Sequence, residues 1–236
     1  MKFHDPDALP DTAADSLRKD LGEKASVEAH LGALMEAWNE TGSNDPPLER
    51  AKKQLEIGRS LKTIDRGREA WPWARDAFDT FAQNDEWEWA ADACDVLSQC
   101  DQDGSLAALG HGIWLAVTFP TDPDLTLALL QHLVDETPDD SDGAAVAAAT
   151  AMFIADIRAE GQQRKDLRFF ASQLLGQVAR RHSHVENQVQ FQAWVERLEL
   201  DQPDKFLVRL RNVVDVLVQE DWWIDRDAIH ASLPDN

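Results

Sequence analysis

DEWEWAADACDVLSQCDQDGSLAALGHGIWLAVTFPTDPDLTLALLQHLVDETPDDSDGAAVAAATAMFIADIRAEG, residues 85–161, decides the fold. Local chemistry divides it into helices of similar length. Asp85 followed by Glu88 reads as a capping box that opens a helix through about Gln99. Asp103-Gly104-Ser105 opens the next, which ends at Phe119-Pro120 because the residue before proline disfavours helical backbone. Asp122-Pro123 supplies an N-cap with proline at the first helical position, for a helix to about Glu136. After Pro138 and the polar turn DDSDG, an alanine-rich helix spans 143–160 and stops at Gly161.

The same signals continue outward. Upstream, Pro47–Asp65 reads as helical, and Pro72 restarts the chain for a helix through about Asn84. Downstream, three apolar stripes recur at helical spacing: Leu167, Phe170, Leu174 and Val178; then Val185, Val189, Val195 and Leu198; then Phe206, Leu210, Val213, Val214 and Leu217. Period-two alternation is not sustained anywhere. Ser26–Thr41 forms a helix with Val27, Leu31, Leu34, Met35 and Trp38 on one side. TGSNDPP, Thr41–Pro47, is the best linker and divides an N-terminal helical arm (1–45) from a helical-hairpin domain (46–236).

Short connections make successive helices antiparallel neighbours. Helix starts at Asp85, Asp122 and Gln162 are 37 and 40 residues apart, and those near Pro72, Gly104 and Gly143 are 32 and 39 apart. The stretch ARDAFDTF, Ala74–Phe81, resembles the second helix of a tetratricopeptide hairpin, where small and aromatic residues alternate. The resemblance covers about residues 50–160, with a period between the tetratricopeptide and HEAT classes. The Trp, Gly and Tyr positions of a matching first helix are missing. The expected fold is all-α: stacked antiparallel hairpins, α-solenoid-like, or an irregular helical bundle.

Composition narrows the function. The longest nearly apolar run, Gly143–Ile157, is too short to span a bilayer. The opening MKFHDPDALPD lacks the apolar stretch of a signal peptide, so a cytoplasmic location is expected. Cys94 and Cys100 are too few and too far apart on one helix for a disulfide scaffold, and read as small buried residues. The net charge of −21 argues against direct nucleic-acid binding. Asp outnumbers Glu 29 to 15, and Arg outnumbers Lys 15 to 8. An Asp-rich, Lys-poor surface points to halophilic adaptation; the competing reading is a DNA mimic or a surface for a basic partner.

No reactive constellation stands out. GxGxxG, GxxxxGK[ST], GxSxG and HExxH are all missing, so no catalytic residue, cofactor or metal is assigned. Gly110-His111-Gly112 lies inside a helix, where small residues permit close packing. His182-Ser183-His184 reads as a polar turn, and the acids around Pro138 (Asp135, Glu136, Asp139, Asp140, Asp142) as a solvated one.

Two features suggest a protein partner. Residues 49–69 and 162–184 carry net charges of +3 and +4 in an acidic chain, so Arg164, Arg168 and Arg180 are candidate contacts for an acidic partner or a second copy of this chain. Trp71 and Trp73, then Trp87 and Trp89, lie two apart and face opposite sides of a helix. Both members of a pair are buried only if the hairpin is covered on two sides; otherwise one is exposed, as at binding hot spots. Trp222-Trp223 pin the C-terminal tail onto the body. The leading expectation is therefore a non-enzymatic scaffold, adaptor or assembly chaperone. The alternatives are an acidic inhibitor of a nucleic-acid-binding surface and an enzyme with an unrecognised helical active site.

Overall fold

The computed structural model describes residues 12–41 and 45–232, with side chains over 22–40 and 45–231. The reading of residues 1–11, and of residues 42–44 within the linker, lies outside the described residues. Among those described there are eleven α-helices and no strand. The chain is all-α. The helices are α1 (Thr12–Thr41), α2 (Pro47–Thr63), α3 (Gly67–Gln83), α4 (Trp87–Ser98), α5 (Ser105–Thr118), α6 (Pro123–Glu136), α7 (Asp142–Arg158), α8 (Gly161–Ser183), α9 (Gln188–Arg197), α10 (Pro203–Val218) and α11 (Arg226–Ser232). No helix among the described residues is long and apolar enough to cross a membrane.

From α1 to α9 each helix packs against the next, and α2, α4, α6 and α8 also meet in sequence as one layer. On the other side α5 and α7 do not approach each other directly. The returning helix α10 lies between them and touches both. The small-aromatic pattern of ARDAFDTF works as a packing device: Ala74, Ala77, Phe78 and Phe81 are fully buried on α3. Ala74 comes so close to Gly58 of α2 that a β-carbon there would sit 3.3 Å from the Ala74 side chain. The alanines of α7 serve the same end, and Ala144, Ala145, Ala147, Ala148 and Ala151 are all inaccessible. Close approach of small residues maximises dispersion contacts at native density.

Cap chemistry holds in part. Asp122 Oδ1 accepts from the Asp124 N–H at 2.8 Å with Pro123 in the first turn, and Ser141 caps α7 through the Gly143 N–H at 3.1 Å. Asp85 is a correction. It does not cap α4; it terminates α3 in the left-handed conformation (φ 58), while Glu86 N–H closes back on the Phe81 carbonyl at 3.0 Å. Asp65 and Asp101 adopt the same conformation (φ 61 and 53). Aspartate is tolerated there because its short polar side chain can satisfy nearby backbone. Pro72 is a second correction: α3 begins at Gly67, and Pro72 sits inside it, near its exposed start. α7 also ends at Arg158, and Gly161, with φ 56, belongs to α8.

Two apolar stripes are rotated from expectation. On α8 the buried row is Leu167, Ala171, Leu174 and Val178, and Phe170 faces out. Around α9, Trp194 and Val185 are buried while Val189 is 80% exposed. Small Ala171 fits against the preceding helices where a phenyl ring would not.

Arginines join the layers. Arg158 on α7 donates to the Ala116 and Val117 carbonyls at the end of α5 (2.6 and 2.7 Å), and Arg181 on α8 donates to Val134 O at the end of α6 (2.7 Å). These are the carbonyls that a helix C-terminus leaves without partners.

Candidate interaction surface

The tryptophans of the α3–α4 hairpin are placed by its two-sided covering. Trp73 meets Trp38 of α1 edge-on at 5.1 Å, while Trp71, on the opposite side of α3, meets Trp223 edge-on at 6.3 Å. Trp87 stacks on Phe119 at 5.0 Å. Trp89 is the exception. It stacks on Phe81 at 5.7 Å and carries the Lys52 ammonium over its ring at 5.3 Å, yet remains 38% exposed. Trp71, Trp73 and Trp87 thus spend their surface inside the molecule, which leaves Trp89 as the open member.

The basic segment presents a different picture. Among the described residues α8 is the last helix of its layer, and the short α9 near its end is the one helix beyond it. Phe169 and Phe170 project there, 67% and 42% exposed. Lys165, Phe169, Gln173, Gln177 and Arg180 are all exposed and follow one another at helical spacing of three or four, so they form one stripe along α8. Arg164 and Arg168 are both paired with Asp156 of α7, Arg164 at 3.3 Å. Lys165 and Arg180 make no ion pair among the described residues.

The stripe runs into an open cavity of about 620 Å³ at the α8–α9 elbow, lined among others by Gly176, Arg180, His184, Asn187 and Phe191. His184 ends α8 in the left-handed conformation (φ 52), which turns the chain sharply and opens the space. The surface combines aromatic rings, uncommitted cations and a recess.

No family model, curated protein or solved structure matches this chain.

The histidines show what the remaining polar clusters do. His182 Nε2 faces Asp142 Oδ1 at 3.0 Å, so Nδ1 is the acceptor; Trp194 Nε1–H approaches it at 3.2 Å and Ser183 Oγ at 2.7 Å. Arg197 in turn donates to Ser183 Oγ at 2.8 Å. Asp, His and Ser are therefore adjacent, but Trp194 shares the single imidazole lone pair that a general base would need. The set ties α7, α8 and α9 together. Among the described residues no three His, Cys, Asp or Glu side chains converge as a metal set.

His111 is the feature that sequence reasoning passed over. It is fully buried on α5, with Nδ1 2.6 Å from the Ala107 carbonyl and Nε2 accepting the Trp223 N–H at 2.9 Å. Trp223 stacks on its ring at 4.4 Å. Burial holds its pKa down to about 4, opposed by the Ala107 hydrogen bond. Gly110 beside it is required by close approach: a β-carbon there would lie 2.5 Å from Val218 Cγ2. Cys94 and Cys100 are buried free thiols; burial pushes Cys94 well above the usual range and Cys100 up to about 11, which keeps both protonated and unreactive.

Proposed function

We propose that this chain is a non-enzymatic, cytoplasmic protein-binding module, an adaptor or assembly scaffold, and that the outer stripe of α8 is its partner-facing surface. The observation that carries this reading is the exposure of Phe169 and Phe170 side by side on a basic helix of an acidic chain. Adjacent exposed rings are costly in water and characteristic of contact surfaces. Lys165 and Arg180 stand out locally against a field of opposite sign and would steer an acidic partner to that place. Chaperone-like assembly work and adaptor work both use such a surface.

The test is capture by the full-length chain, followed by mapping. Partners identified by affinity purification and mass spectrometry at physiological salt are re-tested against Phe169→Ser/Phe170→Ser and against Lys165→Glu/Arg180→Glu. These positions are exposed, so both variants should fold. The ring variant should lose about 2 kcal/mol or more of binding, and the charge variant should slow association in a salt-dependent way. Retention by both variants, with loss on Trp89→Ala, would move the surface to the α3–α4 hairpin.

A further inference from the structure

After α10 the chain turns back on itself and lies in the groove between α3 and α5. Trp223 inserts deepest. It meets Phe78 edge-on at 5.3 Å and Trp71 at 6.3 Å, stacks on His111, and is covered by the Arg75 guanidinium 3.7 Å from its ring centre. Trp222 meets His111 at 4.9 Å and Trp114 at 6.2 Å, and carries Arg226 over its ring at 3.6 Å. Arg226 also pairs with Asp215 of α10 at 2.6 Å. The Arg75 Nη1 under this segment is buried with no hydrogen-bond partner among the described residues, although Nη2 reaches Asp79.

Two further observations show how loosely the segment is tied. First, α11 has no close backbone approach to any other helix, so the segment is held through side chains and the Trp223 N–H. Second, its hinge is strained. Gln219 has φ 55 and ψ −120, with Asp221 N–H bonded to the Val218 carbonyl at 3.1 Å. That is the first central position of a type II′ turn, where glycine is preferred. A non-glycine residue held there stores strain that opening of the hinge releases.

We propose that residues 219–232 are a releasable strap occupying, in cis, a docking groove for an aromatic segment of a protein partner. The seated strap defines what the groove accepts. It takes two adjacent aromatic residues, one stacking on His111 beneath Arg75 and one against Trp114, followed three residues later by a cation that reaches Asp215. The partner segment has that pattern and displaces the strap. This groove lies on α3 and α5, apart from the α8 surface, and stands independently of it.

The probe is a labelled synthetic peptide of residues 219–232, titrated by fluorescence anisotropy against the full-length chain. Wild type should bind it weakly, because the groove is filled. Trp222→Ala/Arg226→Ala, which loosens the strap, should bind it roughly tenfold tighter or more, and the gain should vanish when both peptide tryptophans are replaced by alanine. Gln219→Gly, which relieves the hinge, should weaken peptide binding roughly three- to tenfold relative to wild type. Equal affinity for wild type and the loosened variant overturns the proposal. So does dimerisation of the loosened variant without peptide binding, which would make the groove specific for a whole second copy. Hydrogen exchange on the wild-type chain tests opening without any variant. The Trp223, Ala228 and Ile229 amides should exchange at least 100-fold faster than the slowest α5 amides, an opening about 2.8 kcal/mol less costly than theirs. Protection equal to that of α5 would mean the strap leaves only on global unfolding, and the proposal fails.

Discussion

His111 Nε2 accepts the main-chain N–H of Trp223 at 2.9 Å, which joins two positions 112 residues apart. The bond requires a neutral ring, and burial holds the folded pKa near 4, below the ordinary 6.5. Between those values the unfolded chain takes up a proton that the folded chain refuses. Stability from this group is therefore complete above about pH 6.5 and is lost as pH falls towards 4, by about 3 kcal/mol in all. In urea titrations the deficit of His111→Gln relative to wild type should be largest at pH 7 and shrink as the pH approaches 4. A deficit constant across that range would show that the imidazole does not titrate as described.

Arg158 reaches from α7 to two carbonyls at the end of α5. Replacing it with methionine keeps much of the stem packing but removes the donor to Val117 O and leaves Ala116 O with the Thr121 hydroxyl alone, at 3.0 Å. The expected loss is about 1–3 kcal/mol, measured by chemical denaturation. A neutral substitution would mean that water satisfies those carbonyls equally well.

Glycine-to-alanine changes should have opposite signs at two helical sites. At Gly67 a β-carbon would collide with the Cys100 carbonyl, so Gly67→Ala should cost about 1–3 kcal/mol despite better helix propensity. At Gly176 the nearest atom is the flexible Arg180 Nη1 at 3.7 Å, and alanine should stabilise by about 0.5–1 kcal/mol. Thermal melts of both variants decide the point.

Phe78 and Phe153 are both core-side phenylalanines, but only Phe78 is fully buried; Phe153 packs edge-on to Phe206 at 5.9 Å and remains partly open. Phe78→Ala should cost about 3–5 kcal/mol. Phe153→Ala should cost about 2 kcal/mol, since less area returns to water. Equal losses would contradict the difference in burial.

Salt should stabilise the chain. With a net charge of −21, self-repulsion is reduced as the screening length falls from about 10 Å at 0.1 M to about 3 Å at 1 M. The melting temperature should rise over that interval. An unchanged value would favour a partner-directed role for the acids over adaptation to salt.

Local signals were read correctly where one residue's chemistry has one outcome. Asp122-Pro123, an N-cap followed by proline and then an apolar helical stripe, begins a helix as read. Asp85 was misread because aspartate serves both an N-cap and a left-handed helix end, and closure of Glu86 onto Phe81 selects the second. On α8, Phe170 and Ala171 differ by one step around the helix. Which of them turns inward depends on the space left by the preceding helices, and the sequence does not state that space. The hairpin tryptophans were legible as a split pair, but not which member stays open: Trp38, Phe119 and Trp223 cover three of the four from remote positions.

The sequence by itself determined the all-α class, the order of most helices and the close-packed nature of α3, α5 and α7. These follow from 3.6-residue periodicity, cap residues and small side chains, all short-range. Only the tertiary structure decided that α10 returns between α5 and α7, that Trp223 seats on His111, and that Phe169 and Phe170 remain uncovered. Those outcomes depend on which surfaces meet after the chain has folded back. Burial of a given side chain is fixed by partners distant in sequence, and local pattern carries no record of them.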